Sequence, residues 1–196
     1  MRLIHHLFAL LLTYPIVWGP PSAEATVDAI LDSDGHQLQP DTEYYILPTS
    51  GDGGGLVMSF RDRRCPLNVA QIGSGPSNGL PLTLAPVNAS VDVVQPLMDV
   101  RITFRAATIC VQSTVWRLGE VDQATGRRYV MTGPGASTVS SWFKIEKYGN
   151  GYKFVTCPGV CMACNEVCED VGVWQESGKR WLGLSNAPLS VIFKRV

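Results

Sequence analysis

With 196 residues, a formal net charge of −1 and 45% hydrophobic residues, the chain is long enough to bury the core of one domain. Its Lys, Arg, Asp and Glu are scattered rather than clustered, which gives no electrostatic footprint for nucleic acid or an anionic membrane. Six cysteines, an even number, fit complete disulfide pairing in an oxidising compartment.

Residues 1–25 read as a secretory leader: Arg2 is the positive start, Leu7 to Leu12 open an apolar core that continues through Trp18, and Ala23-Glu24-Ala25 supplies the small-x-small cleavage pattern. Cleavage before Thr26 leaves residues 26–196 as one expected domain. Pro15, Pro20 and Pro21 interrupt the apolar run, so it is too short for a membrane anchor. A secreted protein that needs no membrane is the expectation.

Alternating apolar and polar residues then dominate the chain. Val100, Ile102 and Phe104 share one face, and Arg101, Thr103 and Arg105 the other, which is the period of a half-buried strand. Twelve such short segments stand out: 44–47, 55–59, 68–71, 82–84, 100–104, 115–119, 129–132, 143–147, 152–156, 172–175, 181–184 and 190–194. Tyr148-Gly-Asn-Gly151 and Glu176-Ser-Gly-Lys179 read as hairpin turns. No window of three helical turns carries apolar residues at helical spacing. The expected class is all-β, about twelve short strands, as a β-trefoil of three fourfold units. A β-sandwich is the structural alternative.

Catalytic patterns are sparse. After loss of the leader one histidine remains, His36, in the turn-like string Asp32-Ser-Asp-Gly-His36. That string resembles a calcium loop only briefly, because no glutamate falls at the required later position. No H-E-x-x-H motif or phosphate-cradling loop is present. Gly53-Gly-Gly55 reads as a turn, and Glu169-Asp170 point to opposite faces of a strand. The chain is therefore not expected to be an enzyme, and no cofactor or metal is expected.

Four cysteines, Cys157, Cys161, Cys164 and Cys168, crowd into a dozen residues. Thiolate zinc sites usually hold two knuckles apart by a longer insert, and a redox pair needs a helix N-terminus to acidify a thiol. Disulfides fit better. Spacing alone does not choose among fifteen connectivities, but the nesting suggests Cys157–Cys168 and Cys161–Cys164, which leaves Cys65 with Cys110. On the chain-entropy account the long Cys65–Cys110 loop is stabilising by about 4 kcal/mol and the shorter outer clip by about 3 kcal/mol.

Tyr44-Tyr-Ile-Leu-Pro48, Gly53-Gly-Gly-Leu56, Cys65-Pro-Leu67, Trp142-Phe-Lys-Ile-Glu146, Tyr152-Lys-Phe154 and Asp170-Val-Gly172 together resemble the plant Kunitz-type inhibitor family, named for soybean trypsin inhibitor. The C-x-x-x-C-x-x-C-x-x-x-C cluster resembles its miraculin-like branch. The resemblance implies a β-trefoil, the three disulfides above, a monomer, and a secreted or vacuolar plant protein that inhibits a serine or cysteine endopeptidase. Its alternative is a non-inhibitory storage, defence or ligand-binding trefoil. It also implies a substrate-like reactive loop after the strand that follows Cys-Pro-Leu, here Pro86, Val87, Asn88, Ala89 and Ser90, with Asn88 at P1 and Ala89 at P1′.

Three features of the sequence count against trypsin. The S1 pocket of trypsin is acidic and takes Arg or Lys, whereas 85–97 contains neither. Asn88-Ala-Ser90 is an N-glycosylation acceptor, and a glycan there would block entry to S1. The family braces its loop with an asparagine where counting back from Tyr44 reaches Pro40, which has no amide, although Gln39 or Asp41 flank it. Two other basic loops are candidates for P1: Arg63 and Arg64 beside Cys65, and Arg127 and Arg128.

Overall fold

A computed structural model describes residues 29–51, 53–75, 77–134, 138–157, 159–160 and 168–196. The leader, the cleavage position before Thr26 and the Cys161–Cys164 pair lie outside them. Among the described residues the elements are β1 (Tyr44–Pro48), β2 (Leu56–Ser59), β3 (Asn68–Gln71), β4 (Leu82–Pro86), β5 (Val100–Phe104), β6 (Trp116–Val121), β7 (Arg128–Thr132), a 3-10 turn (Val139–Ser141), β8 (Lys144–Tyr148), β9 (Gly151–Thr156), β10 (Glu169–Glu176), β11 (Lys179–Leu184) and β12 (Val191–Arg195). The architecture is all-β.

Alternation in the sequence becomes alternation of burial. Val100, Ile102 and Phe104 of β5 are buried between half-exposed Arg101 and Thr103, and Leu82, Leu84 and Pro86 of β4 behave alike. Two boundaries differ from the sequence pattern. Tyr148 pairs with Gly151, so the turn residues are Gly149 and Asn150 and Gly151 opens β9. Gly149 supplies the positive φ, 58°, that a two-residue hairpin loop requires. β10 extends well beyond 172–175 because Glu169 and Asp170 pair with Thr156 and Val155 of β9.

The pairings close a ring. β1 pairs with β12 and β4, β4 with β5, β8 with β9, and β9 with β12; the Val100–Phe143 bridge joins β5 to the start of β8. These strands form a barrel. The remaining strands form three hairpins, β2–β3, β6–β7 and β10–β11, and β3, β7 and β11 pair with one another to make a triangular cap. A closed barrel with a three-hairpin cap is a β-trefoil. A sandwich would leave two open sheets instead.

Trp116 fills the barrel, with ring centroids of Phe104, Phe143 and Phe154 at 5.6, 6.0 and 5.6 Å. Phe193 meets Tyr44, Tyr152 and Phe154. Each buried ring contributes about 1.5–3 kcal/mol through burial, and edge-to-face contact adds about 0.5–1.5 kcal/mol per pair. The Cys65–Cys110 disulfide links the β2–β3 and β5–β6 connections, and Cys157–Cys168 links the end of β9 to the start of β10. Two of the four clustered thiols are therefore bonded to each other rather than available as thiolates.

Gly55 shows why the glycine run stands where it does. An added Cβ there would collide with the carbonyl of Asn78, which passes against the backbone.

Candidate functional site

The β4–β5 connection, 87–99, joins the first fourfold unit to the second. Its foot is held on several sides. The Val87 N–H donates to the Asp99 carbonyl at 2.9 Å, Val94 is fully buried and its N–H donates to the Leu38 carbonyl at 2.8 Å, and the Leu97 N–H donates to the Ile145 carbonyl at 3.0 Å. Lys144 Nζ stands 2.8 Å from Asp99 Oδ1 and also donates to the Leu97 carbonyl at 2.9 Å. The side chains of Lys144 and Asp99 are only 15% and 8% exposed, so this ion pair is largely desolvated and removal of either partner strands a buried charge. The Gly159 N–H donates to the same Asp99 oxygen at 3.2 Å. Neither Asp99 nor Lys144 stood out in the sequence. They are far apart in the chain, and the closure of the barrel at β5–β8 brings them together.

The tip is different. Val87, Asn88, Ala89 and Ser90 are exposed, with Val87 at 50%. Asn88 Oδ1 accepts the Ser90 N–H at 3.0 Å, and the Asn88 carbonyl accepts the Val91 N–H at 3.4 Å. This is an Asx turn, the local geometry asparagine favours two residues ahead of an N–H. It bends the tip at Asn88, which is itself exposed. Support from the 38–41 segment comes through backbone groups: the Leu38 carbonyl, and the Asp41 N–H, which donates to the Leu84 carbonyl at 3.0 Å. Among the described residues, no side-chain hydrogen bond from 39–41 reaches the tip.

The structure separates the basic candidates. Arg127 lies 3.9 Å over the Trp174 ring and Arg128 Nε donates to the Gly119 carbonyl at 3.0 Å, so both are engaged by the cap. Arg63 and Arg64 are exposed. Arg61 is a half-buried hub: its Nη1 reaches Asp122 Oδ2 at 2.7 Å, its Nε reaches Glu176 Oε2 at 3.1 Å, and its guanidinium lies 4.2 Å over the Tyr129 ring. One side chain thus ties all three hairpins of the cap. Burial opposes its charge, but hydrogen bonds to Glu176 and Asp122 outweigh burial and raise its pKa. The Arg61 hydrogen bond, helped by Thr125, lowers Asp122 from 3.8 to about 2. The same arginine lowers Glu176. Arg61 stands only two residues before Arg63 in the chain, but its burial gives it a different task.

Asp32, Asp34 and His36 bring ligand-type atoms within 4.8 Å of one another. Asp32 Oδ1 accepts the Asp34 and His36 N–H groups at 3.0 and 2.9 Å, which closes the turn.

Comparison with known proteins agrees with the fold. A family model for Kunitz legume proteins, described as trypsin and protease inhibitor, matches residues 30–195. The chain is 40% identical over 183 residues to an α-amylase/subtilisin inhibitor of Oryza sativa, covering 89% of this chain and 88% of that one. It is also 40% identical over 189 residues to miraculin of Synsepalum dulcificum, covering 89% and 86%. Among solved structures it superimposes on the Kunitz-type cysteine protease inhibitor PCPI-3 from potato with a TM-score of 0.74, at 32% identity, covering 86% of this chain and 97% of that one.

Proposed function

The chain belongs to the plant Kunitz inhibitor family, and from that premise we propose that it is a secreted, non-catalytic inhibitor of a serine endopeptidase of the subtilisin class. Val87, Asn88, Ala89 and Ser90 form its contact loop, and Pro86, buried at the end of β4, forms the base from which it rises. The observation that carries this reading is the contrast within one connection: an exposed, uncharged tip on a foot fixed by Val94 and the Asp99–Lys144 pair. A fixed foot reduces the ordering cost of binding. The tip offers no base to an acidic S1 pocket, which argues against trypsin at this loop and for a protease that accepts a small uncharged P1 side chain. The rice relative carries subtilisin in its name. A cysteine endopeptidase is the other protease class to assay, since the potato neighbour is named for one.

Secretion rests on the 1–25 leader with cleavage before Thr26, and the vacuole is the other destination consistent with a leader. The chain acts as a monomer in this reading.

A second reading is favoured by the Asx turn at Asn88. A glycan on that amide would cover the tip and leave a non-inhibitory storage, defence or ligand-binding trefoil. Intact mass before and after glycosidase, followed by titration of subtilisin with both forms, separates the two. Stoichiometric loss of subtilisin activity with the bare or trimmed form supports the inhibitor. Full activity in excess trimmed protein overturns it.

A further inference from the structure

We propose that the β2–β3 tip is a second protease-binding head, directed at trypsin-like endopeptidases, with Arg64 entering S1 and Arg64–Cys65 as the bond presented. This inference rests on the inhibitor reading of the fold and is independent of the loop at 86–90. Of the basic residues the sequence singled out for P1, Arg63 and Arg64 alone are exposed and make no hydrogen bond, ion pair or ring contact among the described residues; Arg127 and Arg128 are occupied by Trp174 and Gly119.

Both ends of the tip are anchored. Arg61 fixes one end through Asp122, Glu176 and Tyr129, and the Cys65–Cys110 disulfide fixes the other. Asp62, Arg63 and Arg64 alone lie between, so little conformational freedom remains to be lost on docking. Flanking Cys110 in the chain, Ile109 and Val111 are 80% and 104% exposed and add apolar surface on the disulfide's other side.

The disulfide also supplies a chemical reason for inhibition rather than digestion. The serine oxygen of the protease attacks the Arg64 carbonyl carbon. The C–N bond to Cys65 breaks, and the serine proton passes through the protease's own base to the Cys65 amine. That amine cannot diffuse away, because Cys65 is bonded to Cys110 and β3 follows it into the cap. It attacks the acyl-enzyme ester, re-forms the peptide bond and returns the proton.

The test is active-site titration of trypsin, and of subtilisin in parallel, with the full disulfide-bonded chain. Wild type, Arg64→Ala, Arg64→Lys and Asn88→Ala are compared, each checked by circular dichroism and by intact mass for oxidised cysteines. The expected result is one equivalent of trypsin titrated by wild type, Arg64→Lys and Asn88→Ala. Arg64→Ala should lose at least about 100-fold in trypsin affinity while its subtilisin titration stays unchanged. The proposal is overturned if wild type leaves trypsin active. It is equally overturned if inhibition survives in Arg64→Ala, or if trypsin cuts Arg64–Cys65 and is released fully active. Failure against subtilisin alone, with trypsin titrated through Arg64, removes the 86–90 loop reading and leaves this one standing.

Discussion

The β4–β5 loop and the β2–β3 tip solve the same physical problem with opposite materials. The loop holds an uncharged, sharply turned tip on a foot of backbone hydrogen bonds, one buried valine and the Asp99–Lys144 pair. The tip holds two exposed arginines between a half-buried ion hub and a covalent bond. Rigidity therefore does not depend on one kind of anchor. What each region can recognise is set by the few side chains left outside the anchors.

Removing the anchors should rank them. Replacing Cys65 and Cys110 together by Ser is expected to cost about 4 kcal/mol, from a closed loop spanning 45 residues of sequence. Urea unfolding measures it, and subtilisin titration by the other loop should persist in the folded fraction. Asp99→Ala leaves the buried Lys144 ammonium unpaired and should cost about 3 kcal/mol. Its functional effect should fall on the 86–90 loop and spare trypsin binding.

Arg61→Met is expected to cost about 2 kcal/mol, between the limits for exposed and fully buried pairs, because its partners are partly exposed. The cost should depend on pH with a definite sign. Asp122 and Glu176 have folded pKa values below their ordinary 3.8 and 4.5. Their contribution is present above about pH 4.5 and is lost as pH falls toward about 2. Stability curves of wild type and Arg61→Met should therefore converge across that window. Curves that stay parallel would contradict the hub. The smallest effect belongs to Ser90→Ala. The Asx turn uses the Ser90 N–H, not its hydroxyl, so stability should change by less than about 0.5 kcal/mol. Any glycan mass on Asn88 should vanish with the acceptor sequence.

Much of the scaffold is readable from residue order because a strand that buries one face must alternate. Val100 to Phe104 and the Ser177–Gly178 turn follow from that rule and from turn chemistry. The bounds of β10 were less legible: the apolar alternation marks 172–175, and the pairing of the polar Glu169 and Asp170 with β9 carries the strand back to 169. Contacts between distant residues were hidden for a related reason. Lys144 and Asp99 meet only after the barrel closes, and Arg61, Asp122 and Glu176 meet only after three hairpins share a cap. No local pattern of charge marks either network. Asn88-Ala-Ser90 was legible as a glycosylation acceptor, whereas the Asx turn it forms shows only in the structure.

The most direct test of the inhibitor assignment is titration of subtilisin by glycosidase-trimmed protein carrying Arg64→Ala, which leaves the 86–90 loop as the only proposed head. One equivalent should abolish subtilisin activity, and adding Asn88→Pro, which breaks the tip geometry, should restore it. Undiminished subtilisin activity at a large excess of the trimmed protein would contradict the assignment.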